Sequence, residues 1–336
     1  MTNIGLGTWR FFLAFLVVIS HLWAGMIHGP AAYAVWGFYS LSGYLMTHVL
    51  RHKYGNTTPG LHDYAYNRFL RIYPMYAVAL ITGAIALWLA SRTGIVATDL
   101  NPQFIWPQNQ KSWFINISLL PLPSWGLLVP VSGALAVEVG AYILMPLLAF
   151  SRPAAWIALI LSLIVNANYG FGTDTFAVRY SSFITCFWVF SAGSLVSHYK
   201  KELSALVFPK LSMLAWLAHC LVWIWYDPWP WTYGLYFSVL LSNWVIVSIE
   251  SVKFSRIDSI FGDLSYPIYL FHTVVGIFIL MLDLKIRSFD FFIASFIATL
   301  IVSWLLVATV DKRINLMKRR KNQKDIPVLF GINKIQ

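Results

Sequence analysis

Arg10 and His21 lie eleven residues apart in the apolar stretch WRFFLAFLVVISHLW. Ionisable groups are costly in a bilayer, so one placed there is by default a functional candidate. Eleven residues of helix rise about 16 Å, which puts His21 near the membrane midplane if Arg10 lies at one face. An imidazole there can take a proton from a hydroxyl or act as a nucleophile. A histidine hydrogen-bonded inside a helix bundle is the bland alternative. Glu138, the only acidic residue in VSGALAVEVGAYILMPLL, would be expensive against lipid and is expected to face inward with a partner. Beside His21 it could orient or charge the imidazole. A purely structural ion pair is its competing explanation.

A second group suits an anion. YNRFLRIYPMY joins two apolar stretches and carries Arg68, Arg71, Tyr73, Pro74 and Tyr76. Arginines three apart share a helix face and can clamp phosphate with forked hydrogen bonds. Ordinary positive-inside charge competes with that reading for either arginine alone. FYSLSGYL supplies Ser42 and Gly43, which fit close helix packing or a polar opening beside His21. GDLSYPIYLFH places Ser265, Tyr266, Tyr269 and His272 at the expected start of a late helix, with Tyr269 and His272 on one face. His28, His48, His52, His62 and His198 read as surface residues, and His219 as a packed polar group. Cys186 and Cys220 fall inside apolar stretches and read as packing residues, with no disulfide and no metal ligand set.

The elements that must hold these groups are membrane helices. Of 336 residues, 59% are hydrophobic, 17% aromatic and 11% charged, which excludes an ordinary soluble domain. The expected fold is an all-α polytopic membrane protein of about ten transmembrane helices. Spans are expected near 11–29, 33–50, 74–91, 132–150, 154–168, 180–197, 209–226, 232–250, 266–283 and 290–310. No cleavable signal peptide is expected. With a cytoplasmic N-terminus, nineteen Lys and Arg fall on one side and five on the other, so both termini are expected in the cytoplasm. Residues 1–311 form the expected transmembrane domain and 312–336 a basic tail that contacts anionic lipid. The positive-inside pattern accounts for the net charge of +11, and no nucleic-acid partner is expected. Tryptophans 106, 113, 125, 225, 229 and 231 gather at the other face, where they suit the interface or stacking on sugars.

Taken in order, these motifs resemble the acyltransferase 3 family of integral membrane O-acyltransferases. Arg10 and His21 match its arginine–ten residues–histidine pattern, and Phe38–Leu45 its aromatic Ser-Gly segment. Arg68–Pro74 matches its RxxRxxP element, and SYPIYLFH its late Ser-Tyr-x-x-Tyr-Leu-x-His motif. In the fourth span Val137, Glu138, Tyr142 and Pro146 fit, while the usual tryptophan, serine and second acidic residue are absent. The resemblance implies His21, Glu138 and Arg10 as catalytic residues. It implies Arg68, Arg71, Tyr73, Ser42, Tyr269 and His272 as contacts for acyl-CoA. Acetyl-CoA is the implied donor, with no metal. A cell-surface glycan or lipid-linked oligosaccharide is the implied acceptor, and a bacterial inner membrane the implied setting. Transfer is expected to finish inside the membrane domain, because no soluble hydrolase-like domain follows the last span. Self-association is left open. A proton-coupled transporter or flippase would also use intramembrane Arg, His and Glu, but no interrupted segments recur in two halves. A non-catalytic partner of a glycan-assembly complex is the third reading.

Overall fold

A computed structural model describes residues 4–24, 29–250 and 255–318. Those residues form helices and no strands. We label the main helices α1 (Leu6–Leu22), α2 (Pro30–Val49), α3 (Thr58–Thr93), α4 (Ser132–Phe150), α5 (Arg152–Ala167), α6 (Phe183–His198), α7 (Pro209–His219), α8 (Tyr233–Ile249), α9 (Arg256–Leu280) and α10 (Phe289–Leu306). By length and composition, α3, α4, α9 and the continuous stretch Phe289–Met317 are suited to cross a membrane. Their outer faces carry exposed Ile143, Leu147, Ile297, Ile301 and Trp304, as lipid contact requires. His28, Lys253 and residues 319–336 of the basic tail lie outside the described residues.

Three helices differ from the sequence expectation in ways that matter for chemistry. The apolar stretch at 11–29 forms a shorter helix, so His21 sits in the last turn of α1 rather than at its middle. Helix α3 starts at Thr58, sixteen residues before the expected start at 74. The Thr57 hydroxyl accepts from the Gly60 N–H at 3.2 Å, and Pro59 occupies the first turn. Arg68 and Arg71 therefore stand on the helix itself, and Pro74 lies within it. Likewise α9 starts at Arg256 under a Ser255 cap (3.1 Å to the Asp258 N–H) and runs through Pro267. His272 is thus deep in α9, not at its start. A membrane helix tolerates internal proline when neighbours satisfy the carbonyl it frees. Pro146 in α4 illustrates this, since the Tyr142 carbonyl four residues earlier accepts from the Tyr64 hydroxyl at 3.1 Å.

Two close approaches fix the bundle around the site. A Cβ on Gly43 would sit 2.1 Å from the Phe190 carbonyl, and one on Gly193 would sit 1.9 Å from that of Ser40. Gly43 is therefore a packing glycine where α2 crosses α6. The second approach joins α1 to α9. The Asp258 carboxylate, in the first turn of α9, accepts from the N–H groups of Gly5 (3.0 Å), Gly7 (3.1 Å) and Thr8 (2.7 Å) and from the Thr8 hydroxyl (2.8 Å). It thereby caps α1, a helix with no side-chain cap of its own. The same sequence offset of 251 pairs Gly7 with Asp258 and His21 with His272. Helices α1 and α9 run parallel in constant register. Asp258→Ala leaves four buried or half-buried donors without this partner, a cost of about 1–3 kcal/mol. Its melting temperature in detergent falls below the parent value, with Asp258→Asn between the two.

Candidate active site

A cavity lies among α1, α2, α3, α4 and α9, lined by Arg10, Ser42, Arg68, Arg71, Glu138, Tyr142, Ser265, Tyr266 and Tyr269. Its volume of about 110 Å³ holds roughly three to four waters, which suits a narrow chain and not a nucleotide. The Ser42 hydroxyl donates to Glu138 Oε1 by a short bond, and the Tyr142 hydroxyl donates to the same oxygen at 2.5 Å. The Arg68 guanidinium lies over the Tyr142 ring at 6.0 Å, and its Nε is buried without a partner. Among the described residues, Arg10, Arg68 and Arg71 form no ion pair. Glu138 acts electrostatically on Arg10 and Arg68. Three guanidiniums thus line the cavity with the single carboxylate Glu138. Asp263 acts on Arg10 and Arg71 from outside that lining, which still leaves an excess of positive charge that an anion would relieve.

Tyr73, expected beside these arginines, is not part of this site. It is two residues from Arg71, about 200° around the helix, and its hydroxyl donates to the Ser118 carbonyl at 2.6 Å. Lys318 joins the cavity's surroundings from the other end of the chain, a position that motif reading gave no reason to select. Past α10, the π-helical turn Val307–Asp311 and the short helix Lys312–Met317 return the chain toward α3. Burial first, then the charge of Arg71, pushes the Lys318 ammonium down to about 8, with Arg68 contributing in the same direction.

The histidines occupy a separate level. Tyr269 ends the cavity, its ring 6.0 Å from Phe38 and 6.4 Å from His272, and its hydroxyl donates to the Val131 carbonyl at 3.0 Å. One turn further, His272 is fully buried and pairs with half-buried His21 (Nε2 to Nδ1, 2.8 Å), the rings 5.1 Å apart and nearly parallel at 7°. His272 is therefore not lining the cavity as a donor contact. Nor does Glu138 orient His21, because its hydrogen-bond partners are Ser42 and Tyr142. His272 Nδ1 faces the carbonyls of Tyr269 (2.8 Å) and Ile268 (3.2 Å). Carbonyls only accept, so Nδ1 carries the proton and Nε2 of a neutral His272 is an acceptor. His21 Nδ1 then donates, which leaves His21 Nε2 with a lone pair directed away from the pair. This is the tautomer a general base or nucleophile needs, held by a neighbour as a carboxylate often holds it.

Among the described residues no cluster of His, Cys, Asp or Glu could hold a metal. Cys186 and Cys220 are both buried and unpaired. No curated protein and no solved structure matches the chain. The family model described as an acyltransferase domain matches residues 3–308, nearly the whole length, including both the arginine cavity and the histidine pair. With its apolar helices, the chain belongs to the acyltransferase 3 family of membrane proteins.

Proposed function

We propose that this protein moves an acyl group, most simply acetyl, from cytoplasmic acyl-CoA to a glycan hydroxyl on the other side of the membrane. The observation that carries the donor assignment is a cavity lined by three guanidiniums and one carboxylate, with none of the three in an ion pair among the described residues. Phosphates of the donor bind at the arginine mouth, and Lys318 adds a further positive charge there. The cavity accepts the pantetheine arm and points it past Phe38 and Tyr269 toward His21. His21 Nε2 takes the proton of the acceptor hydroxyl or first accepts the acyl group itself. His272 fixes the tautomer in either case. Glu138 holds Ser42 and Tyr142 in the wall of the donor path, and Arg10 stands at its mouth.

The parallel course of α1 and α9 supports this two-sided arrangement. Helices pointing the same way have an odd number of crossings between them, here the seven helices α2–α8, and α10 then returns the chain to the side of its N-terminus. Ten spans with both termini cytoplasmic satisfy that parity, as does the distribution of Lys and Arg. A plasma membrane bearing surface glycans is the setting. Equilibrium binding of labelled acetyl-CoA to the purified full chain tests the reading against a transporter or flippase. Saturable binding, followed by CoA release in membranes that carry the acceptor, is the expected result. A protein that transports a glycan precursor and binds no acyl-CoA would overturn it.

A further inference from the structure

Arg287 lies in the connection between α9 and α10, outside every motif above and fifteen residues past His272. Its backbone is left-handed (φ 56°), as is that of Asp283 in the same connection (φ 62°). Neither residue has glycine's freedom there, and strain of this kind persists only where surroundings impose it. Two contacts impose it at Arg287. Its carbonyl accepts from the Ala24 N–H at 3.0 Å, just beyond the end of α1, and its Nη2 donates to the Leu100 carbonyl at 3.0 Å. Leu100 and Leu22 approach α9 together at Gly276, one turn past His272, where an added Cβ would meet both within 3.1 Å. The guanidinium is thereby brought to the histidine level of the bundle. Among the described residues, Arg287 is the charged group that acts on His21. It has no ion-pair partner among those residues, and its Nε is buried without an acceptor.

A fixed cation with an unsatisfied buried donor near a neutral imidazole is suited to charge that appears only during reaction. We propose that Arg287 is a catalytic residue whose guanidinium stabilises the oxyanion formed when the acyl group is transferred at His21. This rests on the acyltransferase reading given above. The acceptor oxygen bonds to the thioester carbon while its proton passes to His21 Nε2, and the carbonyl π electrons move onto oxygen. Arg287 donates to that oxyanion. The C=O bond then reforms, the C–S bond breaks, and the CoA thiolate leaves with the proton from His21. If His21 Nε2 instead attacks the thioester carbon, an oxyanion forms there and collapses with loss of CoA thiolate. Attack of the acceptor oxygen on the acyl-imidazole then forms a second oxyanion, which collapses as the C–N bond breaks and the acceptor proton passes to the departing imidazole.

The test measures CoA thiol released from acetyl-CoA in membrane vesicles of cells producing the full chain, with acetyl-CoA binding measured separately on purified protein. Arg287→Ala is expected to lower kcat about 100-fold while donor affinity stays within twofold. Arg287→Lys is expected to fall between the two, and millimolar guanidinium to restore part of the alanine variant's turnover. Turnover of Arg287→Ala within threefold of the parent, with His21→Ala inactive, overturns the assignment and leaves the acyltransferase reading standing. Loss of donor binding together with turnover makes Arg287 structural and also overturns it. So does a raised KM for acceptor with unchanged kcat. An active His21→Ala protein would instead refute the underlying reading.

Discussion

His21→Ala loses acyl transfer by a factor of about 1,000 or more, while the protein inserts, folds and binds donor as before. The imidazole is half-buried in the last turn of α1, so its removal costs little packing. What disappears is Nε2, the atom left free by the pairing with His272. Positioned bases contribute about 10²–10⁴-fold, and a nucleophile's loss is at least as severe. His272→Phe separates positioning from chemistry. Phenylalanine fills the buried space but offers His21 Nδ1 no acceptor, so the neutral tautomer with a free Nε2 is no longer enforced. Loss of such an orienting partner costs roughly 10–100-fold, and the pH dependence of kcat moves with it. Unchanged turnover in a well-expressed His21→Ala protein removes the central assignment. An unchanged rate and pH profile in His272→Phe reduces that residue to core packing.

Arg68→Ala and Arg71→Ala each weaken acetyl-CoA binding about tenfold to a hundredfold, with kcat at saturation little altered. A hydrogen bond to a charged group contributes about 1.5–3 kcal/mol, and every 1.4 kcal/mol is tenfold in affinity. Lysine restores charge without the fork and recovers only part of the loss. Arg68 and Arg71 are half-buried and so partly solvated, and the deficit grows as salt is lowered and parent binding tightens. Topology offers the rival explanation, in which each arginine merely retains its end of α3 in the cytoplasm. Isotherms on detergent-purified variants separate the two, because inverted or poorly inserted molecules are discarded in purification. Normal affinity in both variants would falsify this cavity as the donor site.

Much of the architecture was legible because apolar stretches broken by polar turns report helices almost directly. The expected fourth span coincides with α4, and the eighth lies within a residue of α8 at each end. Proline is an ambiguous signal at both expected starts, near 74 and 266, because Pro74 and Pro267 lie inside α3 and α9. The effective start signals were the hydroxyl caps at Thr57 and Ser255, obscured by the polar residues that follow them. The site was legible as a set of residues but not as a set of pairs. Three-residue spacing on one helix put Arg68 and Arg71 together, and the structure brings Arg10, Ser42 and Glu138 to them. It could not reveal that His21 finds its partner 251 residues away. That partner depends on the packing of α1 on α9, which local periodicity does not encode. Arg287 and Lys318 stayed hidden for the same reason, each reaching the site through a connection whose path only the folded chain defines.

The Asp258 cap also has a consequence for biosynthesis. Helix α1 leaves the ribosome before α9, and the carboxylate that satisfies its leading N–H groups is made some 250 residues later. Until α9 enters the membrane, α1 carries an open, electropositive end and an imidazole without its companion. On the proposed mechanism, the nascent protein gains its paired histidine only after its early helices have inserted. A translation product ending before Ser255 contains Arg10, Arg68, Arg71 and Glu138 and still lacks a poised histidine. Completion of the ninth helix is what arms the enzyme.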